Sequence, residues 1–384
     1  MGMLHRIKQR LPHPLRRLWS AFRRQIRFQK HWGAILLSNT PPRNQIWVSY
    51  GHDHVPRPGE PVRGGMVKFQ RMQHLFPNSP RHFNLLYLGS STLPADWSQL
   101  LWLARYRKAR LVINQNGVGY PAWHGPGWEA LNRPMAMLLH AADFVFYQSQ
   151  FCQLSADRFL GKRDGLGEVL YNAVDTRFFT PAKTDPDPTH LVLLLGGNQY
   201  EYYRLEAALQ TLALVARDQT DVRLLITGRL NWIPDEAEAS RITYRLMNKL
   251  NITERVEFLG AYSQQDAPAI YRQAHLLLHT QYNDPCPGTV IEAMACGLPV
   301  VYSHSGGVPE LVGDEAGIGI QTEQSWEKVF SPDPNLLAEA VLAIAEQRAN
   351  YAEAARQRAE GHFDLQPWLQ RHREVFEELL QLRN

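Results

Sequence analysis

The sequence predicts an α/β protein built from two facing, Rossmann-like, doubly wound parallel sheets. Three observations lead there. From about residue 46, short apolar runs alternate with helical patterns. Three prolines (Pro181, Pro186 and Pro188) then break the alternation within nine residues. Beyond them the same alternation resumes and continues to about residue 360. Alternating strands and helices imply parallel sheets covered on both faces, and a proline-rich stretch between them reads as a stiff linker.

In the first half, continuous apolar runs at 46–50, 85–88, 111–114, 144–147 and 169–171 read as buried strands. Segments 66–75, 97–107, 134–142 and 151–160 read as helices between them. In the second half the expected strands are 191–195, 222–227, 256–259, 276–280, 300–303 and 318–320. The expected helices there are 204–216, 239–250, 266–274, 289–296 and a long one near 335–360. A last helix over 366–382 presents Trp368, Val375, Phe376, Leu379 and Leu380. Ligands of open α/β sheets bind beyond the carboxyl ends of the strands, so two such edges facing each other make a cleft.

Composition narrows the class. Of 384 residues, 44% are hydrophobic and 20% charged, enough apolar material for cores and too much for global disorder. No apolar run approaches the roughly 18 residues of a membrane span, and the N-terminus shows no signal-peptide h-region. Cys152, Cys286 and Cys296 form neither a disulfide framework nor a C-x-x-C site, so reduced thiols in a cytoplasmic protein are expected.

Charge is unevenly placed. Ten of the 41 Lys/Arg precede the first acid, Asp53, so the remaining 31 face 37 Asp/Glu. The basic excess therefore belongs to a terminal segment, residues 1–32. After Pro14, the residues Leu15, Leu18, Phe22 and Ile26 follow at helical spacing, with Arg16, Arg17, Arg23, Arg24 and Arg27 mostly off that stripe. Such a helix over residues 14–30 can lie on an anionic membrane surface, each cation contributing about 1 kcal/mol. That would place the protein peripherally on the inner face of the membrane. A helix docked on its own domain, or a frayed tail, is the plainer reading. No nucleic-acid partner is expected, because nothing downstream resembles a nucleic-acid module.

The most informative stretch is Asn283-Asp-Pro-Cys-Pro-Gly-Thr-Val-Ile-Glu-Ala-Met-Ala-Cys-Gly-Leu-Pro-Val-Val301, followed by Ser305-Gly-Gly-Val-Pro-Glu-Leu-Val312. A strand ends near Thr280, a loop turns at Pro285 and Pro287, and a helix opens at Gly288 or Thr289. Its first N–H groups lack intrahelical partners and its dipole is positive there, an anion site suited to a diphosphate. Gly288 allows close approach to the backbone. Glu292 lies one turn on, where a carboxylate can accept two hydrogen bonds from a vicinal diol such as a ribose. Asp284 precedes the helix and can reach a polar ligand deeper in the cleft. Without further information Glu292 also reads as a helix-dipole partner, and Asp284 as a solvated turn residue. In the first half, Gln115, Asn116 and Gly117 end a strand and are candidates to line the cleft, or form an ordinary polar loop.

This block resembles the signature of the retaining GT-B glycosyltransferases of family 4, the glycosyl transferases group 1. That family carries Glu-x7-Glu here, followed by Ala-Met-Ala-x-Gly-x-Pro-Val-Val and Gly-Gly-x-x-Glu. The first glutamate is replaced by Asp284. Val256-Glu-Phe-Leu-Gly260 and Tyr171-Asn-Ala-Val-Asp-Thr-Arg-Phe-Phe-Thr-Pro181 extend the resemblance, which is convincing over 145–375. It implies that Glu292 binds the ribose, that Asp284 contacts the transferred sugar near its anomeric centre, and that the N–H groups after Pro287, of Gly288 and Thr289, hold the distal phosphate. Arg63-Gly-Gly-Met66 resembles the family's glycine loop, making Gly64 and Gly65 candidates beside the donor phosphate and acceptor. The family's arginine after the first strand of the second domain falls at Gly197, and its lysine at Tyr202. Arg204 and Arg229 are then the nearest candidates for the phosphate charge. The resemblance also implies that the last helix crosses back to the first domain. Domains of 33–183 plus 364–384, and of 184–363, follow.

The implied reaction moves a sugar from a nucleoside diphosphate sugar to a hydroxyl acceptor of a glycan or glycolipid, with retention and without metal or cofactor. The alternatives are a nucleotide-sugar epimerase, a phosphorylase, or a non-catalytic binder of nucleotide sugar or carbohydrate, the last favoured by the missing Arg/Lys pair. Three further patterns carry no chemistry. Gly117-x-Gly119-x-x-Ala122 has Pro121 and Trp123 where a helix should open. Asp185-Pro-Asp187 sits in the linker, and His52 and His54 have no third ligand nearby.

Overall fold

The structure is a computed structural model that describes Ile26 and residues 41–42, 44–57, 60, 62, 64–183 and 190–381. Apart from Ile26, the basic segment expected over 14–30 lies outside the described residues, as does linker stretch 184–189.

The first sheet has five parallel strands in the order β1 (Val48–Ser49), β2 (Leu85–Gly89), β3 (Arg110–Gln115), β4 (Phe144–Tyr147) and β5 (Gly167–Val169). The second has six parallel strands: β6 (Leu191–Leu195), β7 (Val222–Thr227), β8 (Val256–Gly260), β9 (Leu276–His279), β10 (Val300–His304) and β11 (Gly317–Gln321). Their spatial order is β11-β10-β9-β6-β7-β8. The chain leaves β6 toward β7 and later returns on the other side as β9, so the switch point lies between β6 and β9, where open α/β sheets bind ligands.

Period-two alternation divides each sheet between two cores. Along β2, Leu85 and Tyr87 join one cluster, whereas Leu86 and Leu88 join the other. Along β6, Leu193 and Leu195 face one core and Leu194 the opposite one. Continuous apolar runs thus reflect burial on both faces.

The last helix, Leu365–Leu380, returns to the first domain. Its Trp368, Leu369, Val375 and Phe376 join Val48, Tyr87 and Phe146 in one cluster. Within that cluster His372 is fully buried; its Nε2 lies 3.0 Å from Tyr87 Oη and its Nδ1 2.8 Å from Trp368 O. Burial drives the imidazole pKa down to about 3. Outgoing and returning chains cross side by side, with Val174 N donating to Phe363 O and Leu365 N to Val174 O. Ala173 belongs to the first-domain core and Val174 to the second, so packing changes domain there.

Several elements differ from expectation: the helix expected over 266–274 is the short Ala267–Tyr271, and the strand expected over 169–171 lies at Gly167–Val169. The helix expected from Pro134 spans Trp128–Ala141 with Pro134 inside it. The long helix expected over 335–360 is two, Pro334–Glu346 and Arg348–His362, separated at Gln347 with φ −123° and ψ 26°.

Candidate functional site

A cavity of about 450 Å³ lies between the domains at the carboxyl ends of β6 and β9. Its second-domain wall contains the loop after β6, the loop after β9 and the start of helix Gly288–Ala295. Its first-domain wall contains the start of helix Gly64–Met72, Asn116 and Trp123. Of the residues singled out by sequence, Gly64, Gly65, Asn116, Gly197, Arg204, Asp284, Pro287, Gly288, Thr289 and Glu292 line it.

Pro287 precedes the helix in extended conformation, and Val290 N donates to Pro287 O at 3.2 Å. The N–H groups of Gly288 and Thr289 have no acceptor among the described residues. They point a positive helix end at the cavity. Glu292 is nearly buried but engaged: Arg71 Nη2 donates to Oε1 at 2.9 Å and Tyr271 Oη to Oε2 at 3.2 Å. Arg71 belongs to the first domain and also donates to Ala173 O and to Gln264 Oε1. A carboxylate has about four acceptor positions, so two remain for a ligand. Asp284 Oδ2 stands 3.3 Å from His279 Nε2, without the alignment of a hydrogen bond.

The loop after β6 needs glycine. Gly197 has φ +81°, a left-handed conformation, and its N–H donates to Thr227 Oγ1 at 2.9 Å. Arg204 holds this loop from below: Nη1 donates to Asn198 O at 2.8 Å and Nη2 to Gly196 O at 3.4 Å. Burial lowers its pKa, an effect that nearby Asp284 opposes.

Three candidates are not part of the cavity lining. Arg229 is exposed, and its backbone N–H donates to Asn198 Oδ1 at 2.9 Å, tying β7 to the neighbouring loop. Gln115 is buried within its strand end, with Nε2 donating to Asn116 O at 2.7 Å. Gly117 packs against the other domain, where a Cβ would lie 3.1 Å from Pro285 Cγ. Of the discounted pair, His52 lies 3.0 Å from Thr92 O and His54 3.1 Å from Glu60. Among the described residues, no cluster of three His, Cys, Asp or Glu side chains could hold a metal.

Sequence reasoning missed Lys68 and Arg71, both on the cavity wall. A signal was present: Gly64, Lys68 and Arg71 follow at helical spacing on one face of the helix. Nearby contacts hold the domains together. Glu310 accepts the N–H groups of Gln150 and Phe151 at 2.7 and 2.8 Å, and Ser149 Oγ donates to Pro285 O at 2.7 Å. Trp326 of the second domain seats among Tyr120, Phe151 and Phe159 of the first.

Two Rossmann-like domains with a cavity at their facing strand ends define the GT-B fold. Residues 177–360 are recognised as a Glycosyl transferases group 1 domain. The solved structures agree in fold. HepE of Anabaena in complex with UDP superimposes with a TM-score of 0.62 at 20% identity, covering 77% of this chain and 79% of that one. Sucrose-phosphate synthase of Thermosynechococcus elongatus gives 0.62 at 19%, covering 82% and 77%. Among curated relatives, D-inositol 3-phosphate glycosyltransferase of Mycobacterium sp. (strain KMS) is 30% identical over 154 residues, 38% of this chain and 34% of the relative. A phosphatidylinositol N-acetylglucosaminyltransferase subunit of Arabidopsis thaliana is 25% identical over 174 residues, 45% and 35% respectively. The matches thus span about a third of the length of these relatives.

Proposed function

We propose that this chain is a retaining glycosyltransferase that moves a sugar from a nucleoside diphosphate sugar to a hydroxyl acceptor of a glycan or glycolipid. The observation that carries the reading is the second-domain wall of the cavity. There the unpaired N–H groups of Gly288 and Thr289 face the same space as the Glu292 carboxylate, one turn away. The N–H groups suit the diphosphate, the two unused acceptor positions of Glu292 suit the ribose diol, and Asp284 suits the sugar. The names of the relatives, which include D-inositol 3-phosphate and phosphatidylinositol, support a hydroxyl-bearing acceptor.

In this scheme the bond from the anomeric carbon to the diphosphate oxygen breaks, and its electron pair stays on that oxygen. The acceptor oxygen bonds to the anomeric carbon from the same face, and its proton passes to the departing diphosphate. The protein contributes positioning and stabilisation of the leaving charge, with no covalent nucleophile and no metal.

Incubating the full chain with UDP-, GDP- and ADP-sugars and candidate acceptors tests this. Release of the nucleoside diphosphate that depends on acceptor, with the anomeric configuration kept in the product by NMR, is expected. Inversion contradicts the mechanism. Binding without turnover supports the non-catalytic binder instead.

Residues 14–30 would hold the protein peripherally on an anionic membrane surface at the inner face. No described helix is long and apolar enough to cross a membrane. Deleting residues 1–30 should reduce sedimentation with anionic vesicles, and unchanged sedimentation would refute this part.

A further inference from the structure

Lys68 sits one turn inside helix Gly64–Met72 and lines the same cavity as Pro287–Thr289. It is only 7% exposed. Its Nζ donates to Asn114 Oδ1, which also receives Gln148 Nε2, so Asn114 does not depend on the lysine. None of the ion pairs among the described residues includes Lys68, although the neighbouring Arg71 has Glu292.

The groups facing the ammonium supply no negative charge. They are Cys286 from the loop after β9, Cys152 from helix Gln150–Ala156, and His372 from the last helix. Two carboxylates line the same cavity without pairing with Lys68: Asp284, which acts on both thiols, stands 3.3 Å from His279 Nε2, and Glu292 is engaged by Arg71. Burial pushes both thiols up, Cys152 to about 12, and pushes the His372 imidazole down to about 3. All three are neutral near pH 8. Burial also lowers Lys68 to about 8. A buried ammonium without a counter-ion is costly, and it is tolerated where a ligand brings the opposite charge.

The second domain leaves such a charge unmet. Gly197 and Tyr202 stand where two cations were expected, and both Nη atoms of Arg204 are directed at loop carbonyls. We propose that Lys68, a first-domain residue, is the counter-ion for the phosphates of the nucleoside diphosphate, supplying from across the cavity the charge absent at positions 197 and 202. The proposal rests on the nucleotide-sugar reading above.

Isothermal calorimetry of the full chain with UDP, GDP and ADP, at pH 8.5 in buffers of different ionisation enthalpy, tests it. At that pH the phosphates are already fully ionised, so proton uptake on binding reports on the protein. For whichever nucleotide binds tightest, the wild type should take up a fraction of a proton. Lys68→Met should weaken binding about tenfold or more and abolish the uptake, as expected for a lost charge-assisted contact. Its melting temperature should stay level or rise, because an unpaired buried charge is gone. Lys68→Arg should keep the affinity within a few-fold and also lose the uptake. Should Lys68→Met fail to fold, the arginine variant alone decides, and proton uptake retained there overturns the proposal. Unchanged affinity in Lys68→Met, beside weakened binding in Glu292→Gln, overturns the role of Lys68 and leaves the nucleotide reading standing. No binding of any nucleotide to the wild type overturns both.

Discussion

Glu292→Gln separates a ligand-binding carboxylate from a structural one. In the structure Oε1 receives Arg71 at 2.9 Å and Oε2 receives Tyr271 Oη at 3.2 Å, and the side chain is 5% exposed against 17% for Arg71. Removing one partner of a buried ion pair costs about 3–5 kcal/mol. The glutamine carbonyl still accepts from Arg71, so a stability loss of about 2–3 kcal/mol is expected in urea unfolding. The same change replaces one acceptor oxygen by a donor and removes the charge that a diol would meet. Nucleotide affinity should then fall by about 1.5–3 kcal/mol, roughly 10- to 150-fold in Kd by calorimetry. Arg71→Met is the control: it removes the ion pair but leaves the carboxylate, so stability should fall while Kd changes less. Lower stability with unchanged Kd in Glu292→Gln would refute the reasoning, because the carboxylate would then serve only Arg71 and Tyr271.

Three other outcomes follow from the packing. His372 is held neutral to about pH 3, whereas an unfolded histidine titrates near 6.5. Below about 6.5 the unfolded chain therefore binds a proton that the folded chain refuses, and this residue costs about 1.4 kcal/mol of stability per pH unit down to about 3. Full stability from this source is present above that window. His372→Gln should flatten the fall of melting temperature between pH 6.5 and 4, and an unchanged slope would contradict the assignment. Half-buried Trp326 stacks on Phe151 at 5.1 Å and meets Tyr120 edge-on at 4.8 Å. Trp326→Ala should cost about 2–3 kcal/mol and enlarge the radius of gyration by X-ray scattering; unchanged dimensions would show that this contact does not hold the domains together. At Gly65 a Cβ would fall 2.5 Å from Thr92 Cγ2 and 2.8 Å from Ser91 Oγ. Gly65→Ala should cost about 1–3 kcal/mol by thermal melting and raise the KM for donor, and wild-type values for both would count against a tight helix start there.

Strands were legible where both faces are buried. The runs at 144–147 and 191–195 coincide with β4 and β6 because nothing polar interrupts a strand between two cores, and 222–227 coincides with β7 although Arg223 is exposed within it. Helix ends were less so. Pro134 reads as a helix start, yet the fold keeps it inside Trp128–Ala141, anchored by the burial of Asn132, Met135, Leu138 and Leu139. The break at Gln347 carries no glycine or proline to announce it. In the site, the 284–292 block could be read because turn residues, a helix start and two acids lie within nine positions. Lys68 and Arg71 could not be assigned, because their importance lies in what faces them across a cavity more than 200 residues away in sequence, as the Arg71–Glu292 contact illustrates. Gly117 lies between Asn116 and the second domain, where it packs on Pro285, itself part of the cavity wall.

The most direct test of the whole account is a crystal structure with a bound nucleoside diphosphate sugar. The account predicts phosphate oxygens about 3 Å from the N–H groups of Gly288 and Thr289, with the ribose hydroxyls on Glu292. A donor bound anywhere else, or seated in this cavity with those N–H groups taken by the protein's own atoms, would contradict it.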